Sequence, residues 1–345
     1  MRFRSGNPRK YALVHYPDLA VKYLWRALLL AGLLGGSAPD ARAQNEENIA
    51  ELRALVEETF NSINLGAGYA SIVDFAVSRD ISAATFYPDE TEGVVDPTLQ
   101  NIKLPFRVVF GEEGSGPRPF VQGHVAHQTL EAEFDLLPGE IIYSEWNTWG
   151  GSLSGGYEIP IGESLTIMPV LNLGYGRLEN RADFSGPLAE ELLEPALSNL
   201  VFDWDANAVV YGASLAFDYR ATFRRFDIEI LGSLTHHRVE STSASSEFAE
   251  FDGQVTALDL ELNAVHPTSW TLGGAPLSVV SLFGATDIFG PHRDALGFDR
   301  FFEAGLGLEA DISARNWKVR SLRFGVKAIF GPDVSGWGLI IGYGF

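Results

Sequence analysis

Imidazoles, hydroxyls and carboxylates are the groups able to do chemistry in this sequence, which holds seven histidines and no cysteine. The missing cysteine removes thiol nucleophiles, disulfide frameworks and cysteine-based metal sites together. His124 and His127 stand three apart and His236 and His237 are adjacent. On a strand both spacings send the rings to opposite faces, so neither pair suits a metal ion, and surface or interfacial positions are expected for them. Gly150-Gly-Ser152-Leu-Ser154 approaches a nucleophile elbow but lacks its final glycine. No phosphate loop or dinucleotide fingerprint occurs. Asp203-Trp-Asp205-Ala-Asn207 opens like a calcium loop, yet Ala208 and Ser214 stand where such a loop needs glycine and glutamate. With Glu190, Glu191 and Glu194 these acids read as a solvated loop, loose divalent-cation binding being the alternative. A hydroxyl beside an imidazole is suggested only where His237 precedes Ser241, Thr242 and Ser243. No catalytic, cofactor or metal site is expected, and the chain is not expected to be an enzyme.

The elements that must carry these groups are announced by the last nine residues. Trp337, Leu339, Ile341, Tyr343 and Phe345 share one face at period two, and Gly338, Ile340, Gly342 and Gly344 share the other. A bulky aromatic face opposite a nearly bare one suits a strand between lipid and a barrel lumen. The same period recurs from about Ile81 onward. Leu258, Leu260, Leu262 and Ala264 alternate with Asp259, Glu261 and Asn263, and Ala304, Leu306, Leu308 and Ala310 with Glu303, Gly305, Gly307 and Glu309. Twelve such segments begin near residues 81, 103, 118, 140, 163, 203, 223, 253, 276, 298, 316 and 335. An even number is what a single-chain barrel needs to return both ends to one side. Every second connection is fairly short, with His266 to Ala275 the longest of that set; Ser185 to Leu200 and Ser241 to Asp252 are long and acidic. Pro169 interrupts the apolar face of the segment from Leu165 to Tyr175, where a bulge or an irregular bond is expected.

Ahead of the strands, Ile49, Leu52, Val56, Phe60 and Ile63 recur at helical spacing and predict one amphipathic helix from Asn45 to Ile63. Leu65-Gly-Ala-Gly-Tyr69 breaks it, and only the acidic segment from Leu188 to Leu197 shows a comparable helical period later. Residues 1–43 read as a cleaved secretory signal: scattered Arg and Lys, the short apolar run Ala27 to Leu34, then Ala41-Arg42-Ala43. Without that signal, 18 basic and 43 acidic residues remain, a net charge near −25. Such a field excludes nucleic acid as a partner. No later segment offers the run of about 18 apolar residues that a transmembrane helix requires.

A basic side chain facing lipid at the midplane costs about 2–4 kcal/mol, acids less. Asp259, Glu261, Glu303, Glu309, Arg323 and Lys327 all fall on the face opposite the apolar bands. They are therefore expected in a lumen, where they can pair or stay hydrated. The expected architecture is all-β: a closed antiparallel transmembrane β-barrel of about twelve strands over residues 81–345, preceded by a short N-terminal α-helix. The helix and linker, residues 44–80, are expected in the lumen, the helix acids meeting bases such as Arg323 or Lys327.

Over about residues 46 to 345 the chain resembles the solitary outer-membrane autotransporter β-barrel family, through the preceding helix, the twelve segments and the ending Ile341-Gly-Tyr343-Gly-Phe345. In the wider autotransporter group a large passenger precedes the barrel and a helix threads the pore. Here about forty residues separate the expected cleavage site from the first strand, too few for a passenger. The resemblance implies a bacterial outer-membrane location, with lipid and lipopolysaccharide around it. It also implies that Trp337, Leu339, Ile341, Tyr343 and Phe345 form the signal read by the barrel-assembly machinery. The expected function is a structural or pore-like barrel plugged by its N-terminal helix. A narrow cation-preferring solute channel and an outer-membrane lipid hydrolase are the alternatives.

Overall fold

The computed structural model describes residues 83–90, 94–290, 296–315 and 320–344 apart from Glu113 and Ser115, and, ahead of these, 46, 48–54, 56, 70 and 72–75. The expected signal, residues 1–43, lies outside them. Twelve strands close into one antiparallel barrel in chain order. They are β1 (Ala83–Pro88), β2 (Val94–Val109), β3 (Arg118–Leu137), β4 (Glu140–Ile161), β5 (Leu165–Ser185) and β6 (Trp204–Phe223), followed by β7 (Phe226–Ala244), β8 (Asp252–Leu272), β9 (Ala275–Phe289), β10 (Arg300–Asp311), β11 (Ser321–Phe330) and β12 (Val334–Gly344). The ring is sealed where Ala83 to Pro88 pair with Leu339 to Val334.

Alternation decides which side of the wall each residue takes. Ile102, Leu104, Leu153, Leu171, Leu173, Leu306, Phe324 and Val326 are large, apolar and exposed, whereas Asn101, Lys103, Glu303 and Lys327 from the same strands, with Gln128 and Asn263 from their neighbours, are buried. A water-soluble sandwich would show the reverse. Along β4 the outward residues run Trp149, Leu153 and Tyr157, so aromatics border the apolar band as they do at two membrane interfaces.

One end of the barrel holds residue 344 and the turns at 162–164, Arg224-Arg225 and Gly273-Gly274; the other holds the connections 186–203, 245–251 and 290–299. These are called the terminus end and the loop end below. β8 runs on to Leu272, which reduces the expected connection from His266 to Ala275 to two glycines at φ 58° and 85°. Both occupy the left-handed region, as a tight hairpin turn of the primed type demands. At Pro169 the β4–β5 ladder is interrupted between Gly156↔Val170 and Ile159↔Ile167 without slipping, because proline has no N–H to give.

The wall is uneven in height. β3 to β8 are 20, 22, 21, 20, 19 and 21 residues long, while β9 to β12 are 15, 12, 10 and 11. The surplus stands at the loop end, where the outward residues turn polar: Glu145 and Asn147 on β4, Glu179 and Asp183 on β5. Inside this raised wall the 186–203 connection folds back as a π-helical turn (Ala189–Leu193) and an α-helical turn (Glu194–Leu197). Leu52 and Val56 of the helical residues 46, 48–54 and 56 pack there with Ile142, Leu192, Leu193 and Phe202.

Candidate functional site in the lumen

Residues 70 and 72–75 are helical, and Ala70, Ile72, Val73 and Phe75 share one buried cluster with residues of ten strands, half-buried Leu130 of β3 and Trp146 of β4 packing against it. Phe75 meets the rings of Phe86 and Phe298 at 5.4 and 6.1 Å, and Phe86 also meets Phe301. Wall residues from all round the barrel thus contribute to one apolar layer with the inserted segment. Polar wall residues satisfy the backbone of the inserted segment. Asn101 Nδ2 donates to Phe75 O at 3.4 Å, Gln128 Nε2 donates to Ile72 O at 3.3 Å, and Asn101 Nδ2 also donates to Gln128 Oε1 at 3.1 Å.

The shortest tie joins two side chains. Asp74 Oδ1 lies 2.7 Å from His237 Nδ1, both side chains only 4% exposed. His237 is thereby placed in the lumen and bonded to a carboxylate, and the expected neighbourhood with Ser241 does not form. Ser241 Oγ instead accepts from Phe251 N at 2.9 Å, bracing the 245–251 connection. Sequence reading missed Asp74, although one carboxylate in Ile72-Val-Asp-Phe75, just after a glycine break, is the mark of a buried charge with a distant partner.

Below the apolar layer lies a cavity of about 540 Å³. The six charges expected inside the barrel lie here or beside it as ion pairs or hydrogen-bonded acids. Lys327 Nζ is 2.6 Å from Glu303 Oε1, and Arg323 Nη2 is 2.8 Å from Glu309 Oε2 and 4.0 Å from Glu229 Oε2. Glu261 accepts from Asn263 Nδ2 at 2.7 Å. The sixth, Asp259, accepts from Thr286 Oγ1 at 2.8 Å and from Ser233 Oγ at 3.4 Å. Arg323 and Lys327 thus meet acids of the wall, whereas the described residues of the first helical segment pack at the loop end instead. Bare glycines make room for the lysine. A Cβ at Gly338 would come 3.0 Å from Lys327 Cε, and one at Gly305 2.9 Å from Lys327 Cβ.

Nearer the terminus end, Arg107 and Arg118 each reach Glu158 at 2.7 Å. Arg107 also lies over the Phe120 ring at 4.2 Å and donates to Gln122 Oε1 at 3.3 Å. The histidines separate as strand geometry requires. His127 faces outward and stacks on Trp149, with centroids 4.0 Å apart; His124 faces the cavity, where its Nδ1 is 3.1 Å from Ser152 Oγ. Asp203, suspected of opening a cation loop, takes Ser198 Oγ at 2.8 Å and so ties its own connection together. Of the expected assembly signal, Trp337 and Ile341 are exposed on the outer face and Leu339 is half-buried; the side chain of Tyr343 and all of Phe345 lie outside the described residues.

A closed barrel with an aromatic-bordered apolar exterior, an ionised interior and its own N-terminal segment drawn inside defines an integral outer-membrane β-barrel of the autotransporter type. The chain belongs to the solitary outer membrane autotransporter β-barrel domain family, whose model matches residues 96–345. Similar folds include the transport unit of the autotransporter AIDA-I from Escherichia coli, at 11% identity and TM-score 0.50, covering 82% of this chain and 100% of that one. The translocator domain of the autotransporter NalP from Neisseria meningitidis gives 11% and 0.48, covering 80% and 94%. The β domain of the Bordetella autotransporter BrkA gives 16% and 0.46, covering 76% and 96%. No curated protein matches the chain.

Proposed function

We propose that this chain is an outer-membrane barrel held closed by its own N-terminal segment, with the loop end outside the cell and the terminus end toward the periplasm. The orientation rests on the general habit of such barrels, short periplasmic turns and longer external loops. The closure rests on one observation above the others: the apolar layer joins Ala70, Ile72, Val73 and Phe75 to strands all round the wall, pinned by the Asp74–His237 pair. Export through a signal cleaved after Ala43, folding by the barrel-assembly machinery through the terminal strand, and a surround of phospholipid and lipopolysaccharide belong to the same reading.

The test is single-channel recording in planar bilayers. The intact chain is expected to conduct little, and a variant lacking residues 46–76 to show clear open-channel steps; equal conductance in the two would reject the closure. A cation-preferring channel is the second reading, favoured by the carboxylates of Glu229, Asp259, Glu261, Glu303 and Glu309 gathered on the inner face of β7, β8 and β10. Its mark would be a cation-selective reversal potential in the intact chain, without any deletion.

A further inference from the structure

We propose that His124 and Ser152 form a hydrolytic site in the lumen for medium-chain acyl esters. The two side chains are direct cross-strand partners on β3 and β4, both line the cavity, and Nδ1 lies 3.1 Å from Oγ. That is the reach a base needs to take a proton from a nucleophile. His124 is buried, so its ring is fixed rather than swinging in solvent.

Three surrounding features suit an acyl substrate. Ser152 pairs with Gly174 on β5, and Gly150 precedes it on the same face, so nothing bulky covers the hydroxyl from those directions. Gln122, one step along β3 on the lumen face, has its Oε1 occupied by Arg107 Nη1, so its amide N–H2 is the end left to donate to a developing oxyanion. Two steps toward the terminus end, Phe120, Met168 and Val170 make an apolar cluster inside an otherwise polar cavity. Phe120 and Val170 flank Gly156, four residues along β4 from Ser152, a separation of about 13 Å at the rise of a strand. A medium-length acyl chain spans that distance.

With His124 in the tautomer protonated at Nε2, Nδ1 accepts the proton from Ser152 Oγ as Oγ attacks the ester carbonyl carbon. The carbonyl π pair moves onto oxygen, then returns as the C–O bond to the alcohol breaks, and that alkoxide takes the proton from Nδ1. Water repeats the sequence on the acyl-serine, releasing the carboxylic acid and restoring both side chains.

The test uses the folded full chain in detergent, its folding checked by heat-modifiable mobility on gels. An alkyl fluorophosphonate is expected to label the protein on the peptide containing Ser152, and p-nitrophenyl octanoate to be cleaved faster than the acetate. Ser152→Ala should lose the label and the activity, His124→Ala should lower the labelling rate about a hundredfold, and Ser154→Ala should leave both intact. An unlabelled native protein, or a folded Ser152→Ala variant that still labels, would overturn the proposal. Neither outcome depends on whether the lumen is plugged.

Discussion

At the scale of single residues, the interior is governed by the cost of an unpaired charge away from water. Asp74 and His237 are both nearly inaccessible, so removing either takes a buried hydrogen-bond partner from the other. Losing such a partner costs about 1–3 kcal/mol, more for a charged group, whereas an exposed pair such as Arg238 with Glu240 contributes under about 1 kcal/mol. Asp74→Asn and His237→Ala are therefore expected to loosen residues 70 and 72–75 while the strands stay paired. Amide exchange across that segment should rise a hundredfold or more with the β-sheet circular dichroism unchanged; unaltered exchange would mean that packing alone holds it. Period two assigns each charge a face, and Glu303 pairs with Lys327 and Glu309 with Arg323 across β10 and β11. Their partners were not legible. His124 illustrates why: read along the chain it stands beside His127, but register delivers Ser152, 28 positions on, to its ring.

Among the elements, the count and spacing of strands could be read directly, since each span must carry an apolar stripe. β3 and β4 begin at Arg118 and Glu140, where expected, because turn residues flank a clear alternation. β2 begins at Val94, well ahead of the expected residue 103. Its first part clears the membrane and so has no apolar stripe to betray it, and it contains an irregularity between Val95 and Thr98 with Asp96 at φ 48°. The first helix was visible in its spacing, but its docking site was not, because Leu52 and Val56 find their partners in a connection more than a hundred residues away. Leu193 lies at the heart of that contact and is almost wholly buried. Leu193→Asp gives up about 2 kcal/mol of apolar burial and adds a charge without a partner. The expected result is faster proteolytic cleavage within residues 46–56 of the membrane-embedded protein, the barrel itself remaining resistant.

For the molecule as a whole, the path of the chain has a directional consequence. Leu52 and Val56 pack with the loop-end connections, Ile72, Val73 and Phe75 pack inside the wall, and β1 starts at Ala83 opposite Leu339 of the terminal strand. In the proposed reading the polypeptide enters its own barrel from the loop end before joining it. An epitope inserted between Asn45 and Glu46 is expected to be reached by antibody on intact cells, and one inserted between Arg224 and Arg225 only after the envelope is permeabilised. The reverse pattern would invert the proposed orientation. Closure into a cylinder was legible from the number of spans and the terminal aromatic strand; the inner apolar layer was not, since it gathers residues far apart in the chain, from Leu99 of β2 to four residues of β6.

The unequal heights of β3–β8 and β9–β12 give the molecule a front and a back. Anything gliding in the plane of the bilayer would meet a parapet on one flank and a doorstep on the other. Because the native chain has no cysteine, single thiols can be introduced to map this. A fluorophore on Gly139, at the crest between β3 and β4, should escape a quencher carried on lipid headgroups, while one on Pro332, between β11 and β12, should be dimmed by it. The skyline, more than the bore, would then decide from which compass point a neighbour can approach.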